Sequence, residues 1–160
     1  MNATICERLH VDQAVAITGK YLKGEGFLAV EISPGEAEAE ITCPIHAFDA
    51  ERRLLRIFEH TLALPPNVEV KGLNSDPNGV AALQAGLMIK LKGAFEPALG
   101  FVPEKVKLRE TKEFNIEEVQ GMITRIEREA QCIYVNGIKV LINDRTILEE
   151  GSGNSEPNNS

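Results

Sequence analysis

Two ungapped internal matches constrain the fold of this chain more than any other feature. The segment ending at Val70 matches the segment ending at Leu148 at an offset of 78 residues. Ile45 falls on Ile123, Phe48 on Ile126, Leu55 on Ile133, Ile57 on Val135, Leu62 on Val140 and Leu64 on Ile142, with Asp49 on Glu127. Residues 15–32 match residues 89–106 at an offset of 74, placing Val15 on Ile89, Ile17 on Leu91, Gly19 on Gly93, Tyr21 on Phe95 and Phe27 on Phe101. If the 15–32 type is B and the 39–70 type is A, the chain reads B-A-B-A. A repeated pattern of this kind has to be resolved before domains are drawn.

The repeated units alternate apolar and polar residues, the period of half-buried strands. Read from Ile41, the expected order is strand (41–48), strand (54–59), strand (62–64 resuming at 68–70), helix (77–85), strand (87–93) and strand (101–109). The helix rests on Pro77 near its first position and Gly86 just past its end. This is the element order of an OB-type five-stranded barrel. The expected fold is therefore all-β, with two small OB-like barrels and one short helix. Residues 38–109 form the contiguous barrel, and residues 8–35 plus 115–150 hold the five strands of a second, split barrel in permuted order. Chain ends that meet would close the second barrel within one molecule. The alternative closes it between molecules, giving a dimer or an open chain of subunits. Asn136-Gly137 is expected to form a type I′ turn. Residues 1–8 read as a loose lead-in, and residues 151–160, built of Gly, Ser, Asn, Glu and Pro, as a disordered tail.

The run Leu83-Gln-Ala-Gly86-Leu-Met-Ile89-Lys-Leu91-Lys-Gly93 resembles the L-x-x-G-x-x-V-x-V-x-G strand of the bacterial domain-of-unknown-function repeats numbered 5666. Gly121-Met-Ile123-Thr-Arg-Ile126-Glu, followed by Ile133-Tyr-Val135-Asn-Gly137 and Thr146, is similar to a second segment of those repeats. The resemblance implies an OB-like β-barrel, often in tandem and often exported, and brings no catalytic residues. The chain departs from the pattern at Cys43, where the other A unit has Gly121, at Pro65-Pro66, and in lacking a leader.

Charge is unevenly spread along the 160 residues. The formal net charge is −7, but residues 38–109 carry 9 acids and 9 bases whereas residues 110–160 carry 10 and 5. An acidic whole disfavours non-specific nucleic-acid binding, which rests on phosphate neutralisation. The three cysteines, Cys6, Cys43 and Cys132, lack zinc-like spacing and read as small apolar fillers. Unpaired thiols and the absence of a signal-like start suit a cytoplasmic chain; an exported protein whose leader was removed would look the same. No apolar run approaches membrane-spanning length, so no membrane partner is expected.

Motifs for hydrolases, zinc peptidases, phosphate-binding loops and dinucleotide folds are absent, and no catalytic residue, metal site or cofactor is expected. His46 and His60 lie near Asp49 and Glu59, but their repeat counterparts are Thr124 and Ile138, so solvated or hydrogen-bonded histidine is the expectation. A basic stripe is the sharper feature. If Ile89, Leu91, Val106 and Leu108 point inward, Lys90, Lys92, Lys105, Lys107 and Arg109 share one outer face. Arg52, Arg53 and Arg56 add three cations around a neighbouring turn. Such a face suits an acidic partner or a polyanion, with Phe58 and Phe95 as candidate stacking surfaces. The competing reading is that edge strands carry lysine to block aggregation. The acidic residues Glu110, Glu113, Glu117 and Glu118 either meet the stripe of a neighbouring molecule or form a solvated linker. The expected function is a non-enzymatic binding or assembly module with a protein partner or a second copy. Weak single-stranded nucleic-acid binding through the stripe is the alternative.

Overall fold

In the computed structural model, residues 5–71, 83–109 and 117–149 are described. Among them the chain is all β apart from one 3-10 turn, Ile5–Arg8. The strands are β1 (Ala14–Leu22), β2 (Gly26–Pro34), β3 (Ala39–Pro44), β4 (Ala47–Asp49), β5 (Leu54–Ile57), β6 (His60–Ala63) and β7 (Glu69–Lys71), then β8 (Met88–Glu96), β9 (Gly100–Arg109), β10 (Glu117–Glu127), β11 (Cys132–Val135), β12 (Ile138–Leu141) and β13 (Ile147–Leu148).

Five of these strands close a barrel, and they come from the two ends of the chain. β1 pairs with β2, β2 in parallel with β12, β12 with β11, β11 with β10, and β10 returns to β1. Closure leaves no free edge in the ring. Alternation along each strand sends Val15, Ile17, Phe27, Ile123, Ile133 and Val140 inward, all fully or almost fully buried. The lead-in is not loose from residue 5 onward. Cys6 and Leu9 are wholly buried in the core, and the Arg128 guanidinium donates to the Cys6 carbonyl.

A single row of apolar side chains runs across eight strands and joins the two halves. Leu148, Ile32, Ile17, Val119, Ile41, Leu91, Val106 and Val70 are consecutive cross-strand partners from β13 to β7. The six inner members are fully buried. The row is symmetric about its centre. The pairing of β10 with β3 matches Glu118 to Thr42, Val119 to Ile41 and Gln120 to Glu40. Under the 78-residue offset the Val119–Ile41 pair maps onto itself, and the Glu118–Thr42 and Gln120–Glu40 pairs exchange with each other. The two halves are therefore related by a pseudo-two-fold axis through the Ile41–Val119 pair.

Other registers obey the same relation. Val15 opposite Gly121 has its image in Ile89 opposite Cys43, and Ile147 beside Glu31 has its image in Glu69 beside Lys105. The bulge between Thr18 and Gly19 recurs between Lys92 and Gly93. A Cβ on Gly19 would lie 2.0 Å from the Leu28 carbonyl oxygen, and one on Gly93 would lie 2.0 Å from that of Val102. The glycines are kept because the backbones cross there with no room for a side chain.

The halves differ in two places. In the ring, β12 pairs with β2 through Val140–Phe27 and Leu141–Leu28. The image strands β6 and β9 are joined by no ladder among the described residues, so the expected contiguous ring within 38–109 is not completed there. A gap of about 160 Å³ marks the seam, lined by Leu62 and Phe101 and also by the Asn136-Gly137 turn. The second difference is that the strand expected over 41–48 is broken. Pro44 has no N–H to donate. Ile45 exchanges hydrogen bonds with the Gly86-Leu87 backbone, and His46 N–H then turns to the Arg56 carbonyl. The chain thus leaves the large sheet and enters a separate three-stranded sheet, β4-β5-β6. The helix expected over 77–85 falls on 77–82, outside the described residues; 83–85 form a loop and turn.

Candidate functional site

The outward rows on either side of the apolar row decide what the large sheet presents to solvent. Lys90 sits opposite Lys107 and Lys92 opposite Lys105 across β8 and β9. The four lysines expected to share a face do form one block. Arg109 continues it at the end of β9, opposite Met88. β8 lies between β3 and β9, and β9 is covered along this stretch by β7. These lysines are therefore not on an edge strand, and protection against aggregation does not account for them.

Like charges directly opposed on a sheet repel, and the neighbouring strands supply the compensation. Glu40 on β3 lies 3.2 Å from Lys90 and 3.8 Å from Lys92. Glu69 on β7 lies 4.0 Å from Lys105 and 3.5 Å from Lys71. Half-exposed pairs of this kind contribute at most about 1 kcal/mol each, and with only Glu40 and Glu69 set against Lys71, Lys90, Lys92, Lys105, Lys107 and Arg109 the block stays basic. Lys107 and Arg109 make no ion pair among the described residues. Glu40, Glu69 and Lys71 were not legible as part of the stripe, because their strands reach it only through the β3–β8 and β7–β9 ladders.

On the pseudo-symmetric half, the same rows are acidic. Positions of Lys105 and Lys71 are taken by Glu31 and Glu149, and Glu118 lies between Thr18 and Thr42. A hydrogen bond that the protonated Glu31 carboxyl donates to Glu149 is the main cause that holds Glu31 above its ordinary range. The continuous outer face therefore runs from acidic at one end to basic at the other.

The three arginines expected beside the stripe are elsewhere and do different things. All sit on the separate β4-β5-β6 sheet or its hairpin. Arg52 lies 3.9 Å from Asp49 in the turn. Arg53 takes φ 55°, and its guanidinium donates to the Leu64 and Pro65 carbonyls, tying the loop that carries the double proline. Arg56 is exposed and lines a cleft of about 370 Å³ with Tyr21, Lys23, His46, Phe58 and Glu117.

The cleft is walled by a strained turn. Phe58 and Glu59, between β5 and β6, have φ of 47° and 66°. These are the type I′ conformations that Asn136 and Gly137 adopt at the image position, at 56° and 79°. A bulky aromatic residue is seldom held there unless tertiary contacts over-determine it. Here they do. The Tyr21 ring stacks on Phe58 at 4.8 Å between centroids and 11° between planes, and Phe27 packs against it at 5.5 Å. The Glu59 carboxylate accepts from the Tyr21 hydroxyl at 2.5 Å and from Gly24 N–H at 2.7 Å. Burial first, then the hydrogen bond to Glu59, pushes the Tyr21 phenol up to about 12. The same bond, with that from Gly24, holds Glu59 below its ordinary range. Glu117 accepts from Tyr21 N–H at 2.6 Å, and burial raises its carboxyl.

Phe58 is consumed by this stack and is 7% exposed, so it offers no open face to a base. Phe95 packs against the Gly137 position. His46 lines the cleft and His60 the β6–β9 gap, and no cluster of three or more metal-ligating side chains occurs among the described residues. All three cysteines are free and buried. No helix among the described residues is long and apolar enough to cross a membrane. No family model, curated protein or solved structure matches the chain.

Proposed function

We propose that this protein is a non-enzymatic assembly module whose partner is a second copy of itself, docked through the outer face of the eight-strand path. The observation that carries this reading is the charge polarity of that face. Glu31, Glu118 and Glu149 lie on one side of the pseudo-two-fold axis, and Lys71, Lys90, Lys92, Lys105 and Lys107 on the other. A second molecule turned by a true two-fold across this face sets each acidic half on a basic half, an isologous arrangement that closes at two copies. Complementarity of this kind steers encounter and fixes register. The reading includes a tandem of two OB-like units and kinship with the 5666-type repeats. Three buried free thiols suit a reducing compartment, with export after leader removal as the alternative.

Light scattering at low and high salt tests it. The wild type is expected to dimerise at low salt and to dissociate as salt rises. K105E/K107E and E31K/E118K are each expected to be monomeric, and an equimolar mixture of the two to associate again. A wild type that stays monomeric at every concentration sinks the proposal.

Lys107 and Arg109, which lack an ion pair among the described residues, favour one second reading: weak binding of a single-stranded nucleic acid or another polyanion by Lys90, Lys92, Lys105, Lys107 and Arg109. Salt-sensitive retention of an oligonucleotide by the wild type, lost in K105E/K107E, would select it.

A further inference from the structure

The pseudo-two-fold supplies an internal control for the cleft beside the strained turn. Each position lining it has a repeat counterpart in the other half, where the continuous strand β10 stands in place of the separate strands β3 and β4. What the fold itself requires at these positions is shown by that counterpart. Lys23, His46 and Arg56 correspond to Pro97, Thr124 and Tyr134. Tyr21, Glu59 and Glu117 correspond to Phe95, Gly137 and Ala39. Six groups that ionise or carry charge are thus gathered at one cleft, and of the six image positions only Tyr134 carries an ionisable group. The strands form with either set, so strand formation does not account for the charged one.

Within the cleft the two signs of charge are not equally free. Glu59 already accepts from the Tyr21 hydroxyl and Gly24 N–H, and Glu117 from Tyr21 N–H. Lys23, His46 and Arg56 are exposed at the mouth, and none is within ion-pair distance of an acid among the described residues. Lys23 and Arg56 act on Glu59 only at longer range, both lowering its pKa. Beside them the cleft is lined by the half-buried Pro44 and Tyr21, which lie over the packed side chains of Ile45 and Phe58. A volume of about 370 Å³ matches the lower end of small-molecule sites.

We infer that this cleft binds a small organic anion with a flat apolar body, the body against Pro44 and Tyr21 and the anionic group between Lys23, His46 and Arg56. Carboxylate and phosphate present the same acceptor chemistry to an arginine fork and a lysine, so an aromatic acid and a nucleoside monophosphate are both members of the class. The site is separate from the outer sheet face and stands whether or not the chain self-associates. It also gives the strained turn a purpose. Phe58→Asn with Glu59→Gly would relax the backbone but remove the ring on which Tyr21 stacks and the carboxylate that accepts from its hydroxyl.

Amide chemical-shift mapping on the intact chain tests the inference, with benzoate, adenosine 5′-monophosphate and inorganic phosphate as separate probes. Saturable shifts centred on Lys23, Ile45, His46 and Phe58 are expected from benzoate, from the nucleotide or from both, and which of them binds tighter identifies the source of the anion. K23Q/R56Q alters only exposed side chains and is expected to weaken that binding at least ten-fold with the circular dichroism spectrum unchanged. Two results overturn the site: no saturable shift at the cleft from benzoate or nucleotide, or shifts that persist undiminished in K23Q/R56Q. Inorganic phosphate binding there as tightly as the other two overturns the requirement for an apolar body.

Discussion

Tyr21 couples two ionisations whose pH dependence can be read from their directions. Its phenol is held at about 12 in the folded chain, against about 10 when unfolded. A raised folded pKa contributes stability that is intact below pH ~10 and is lost as pH rises through about 12. Glu59 has the opposite shift. Its contribution is present above the unfolded carboxylate range and is lost as pH falls through the lowered folded value. Tyr21→Phe, the residue found at the image position, is expected to remove the alkaline loss and to reduce the acid one; thermal melts from pH 3 to 12 check both. Asn136 is the other decisive single residue. It is 3% exposed, and its amide donates to the carbonyls of Gln120 at 2.8 Å and Glu40 at 3.2 Å, on both sides of the β10–β3 junction. Asn136→Ala leaves those acceptors without their donor in a buried place and puts a Cβ residue without a polar side chain at φ 56°. A loss of about 2 kcal/mol in urea unfolding is expected.

Strand identity was largely legible from alternation, and the expected strands 87–93 and 101–109 correspond to β8 and β9. Boundaries shifted where a proline or a bulge intervened. What alternation could not show was that the 41–48 segment changes sheet at Ile45, since the partner that captures it, the Gly86-Leu87 backbone, lies forty residues on. The I′ turn at Phe58-Glu59 was hidden for a related reason. Its sequence carries no turn residue, and the packing of Tyr21 and Phe27 together with the Glu59 hydrogen bonds holds it. The two bulge glycines make a prediction at this scale. Gly19→Ala and Gly93→Ala each force a Cβ to 2.0 Å from a carbonyl oxygen and are expected to cost about 2–3 kcal/mol. Gly24→Ala, at φ 78° with nothing within 4 Å, is expected to cost about 1 kcal/mol. Matched urea titrations of the three variants separate steric crossing from backbone strain.

At the scale of the molecule, the two halves lean on each other. β3 gains β10 as a partner, and the β5–β6 turn is held in shape by the β1–β2 hairpin. A fragment of residues 38–109 loses both, and its strands lack the β6–β9 ladder that would close a ring. It is therefore expected to unfold at much lower urea than the whole chain, or not to fold cooperatively at all; circular dichroism against denaturant decides. The stripe shows the same dependence. Four of its lysines were placed by strand period alone, yet the acids that balance them arrive from β3 and β7, and Arg52, Arg53 and Arg56 belong to another sheet.

The sequence by itself determined the duplication, the all-β class, the inward positions and the shared face of Lys90, Lys92, Lys105 and Lys107. These depend on period and offset, which are local properties carried along one strand at a time. The tertiary structure alone decided which of the two expected rings closes among the described residues, where the symmetry axis lies and which charges neutralise which. Those outcomes rest on contacts between residues as far apart as Phe27 and Val140 or Tyr21 and Glu117. Contacts at such separation are selected by the free energy of closing the whole sheet, and no window of sequence contains both partners.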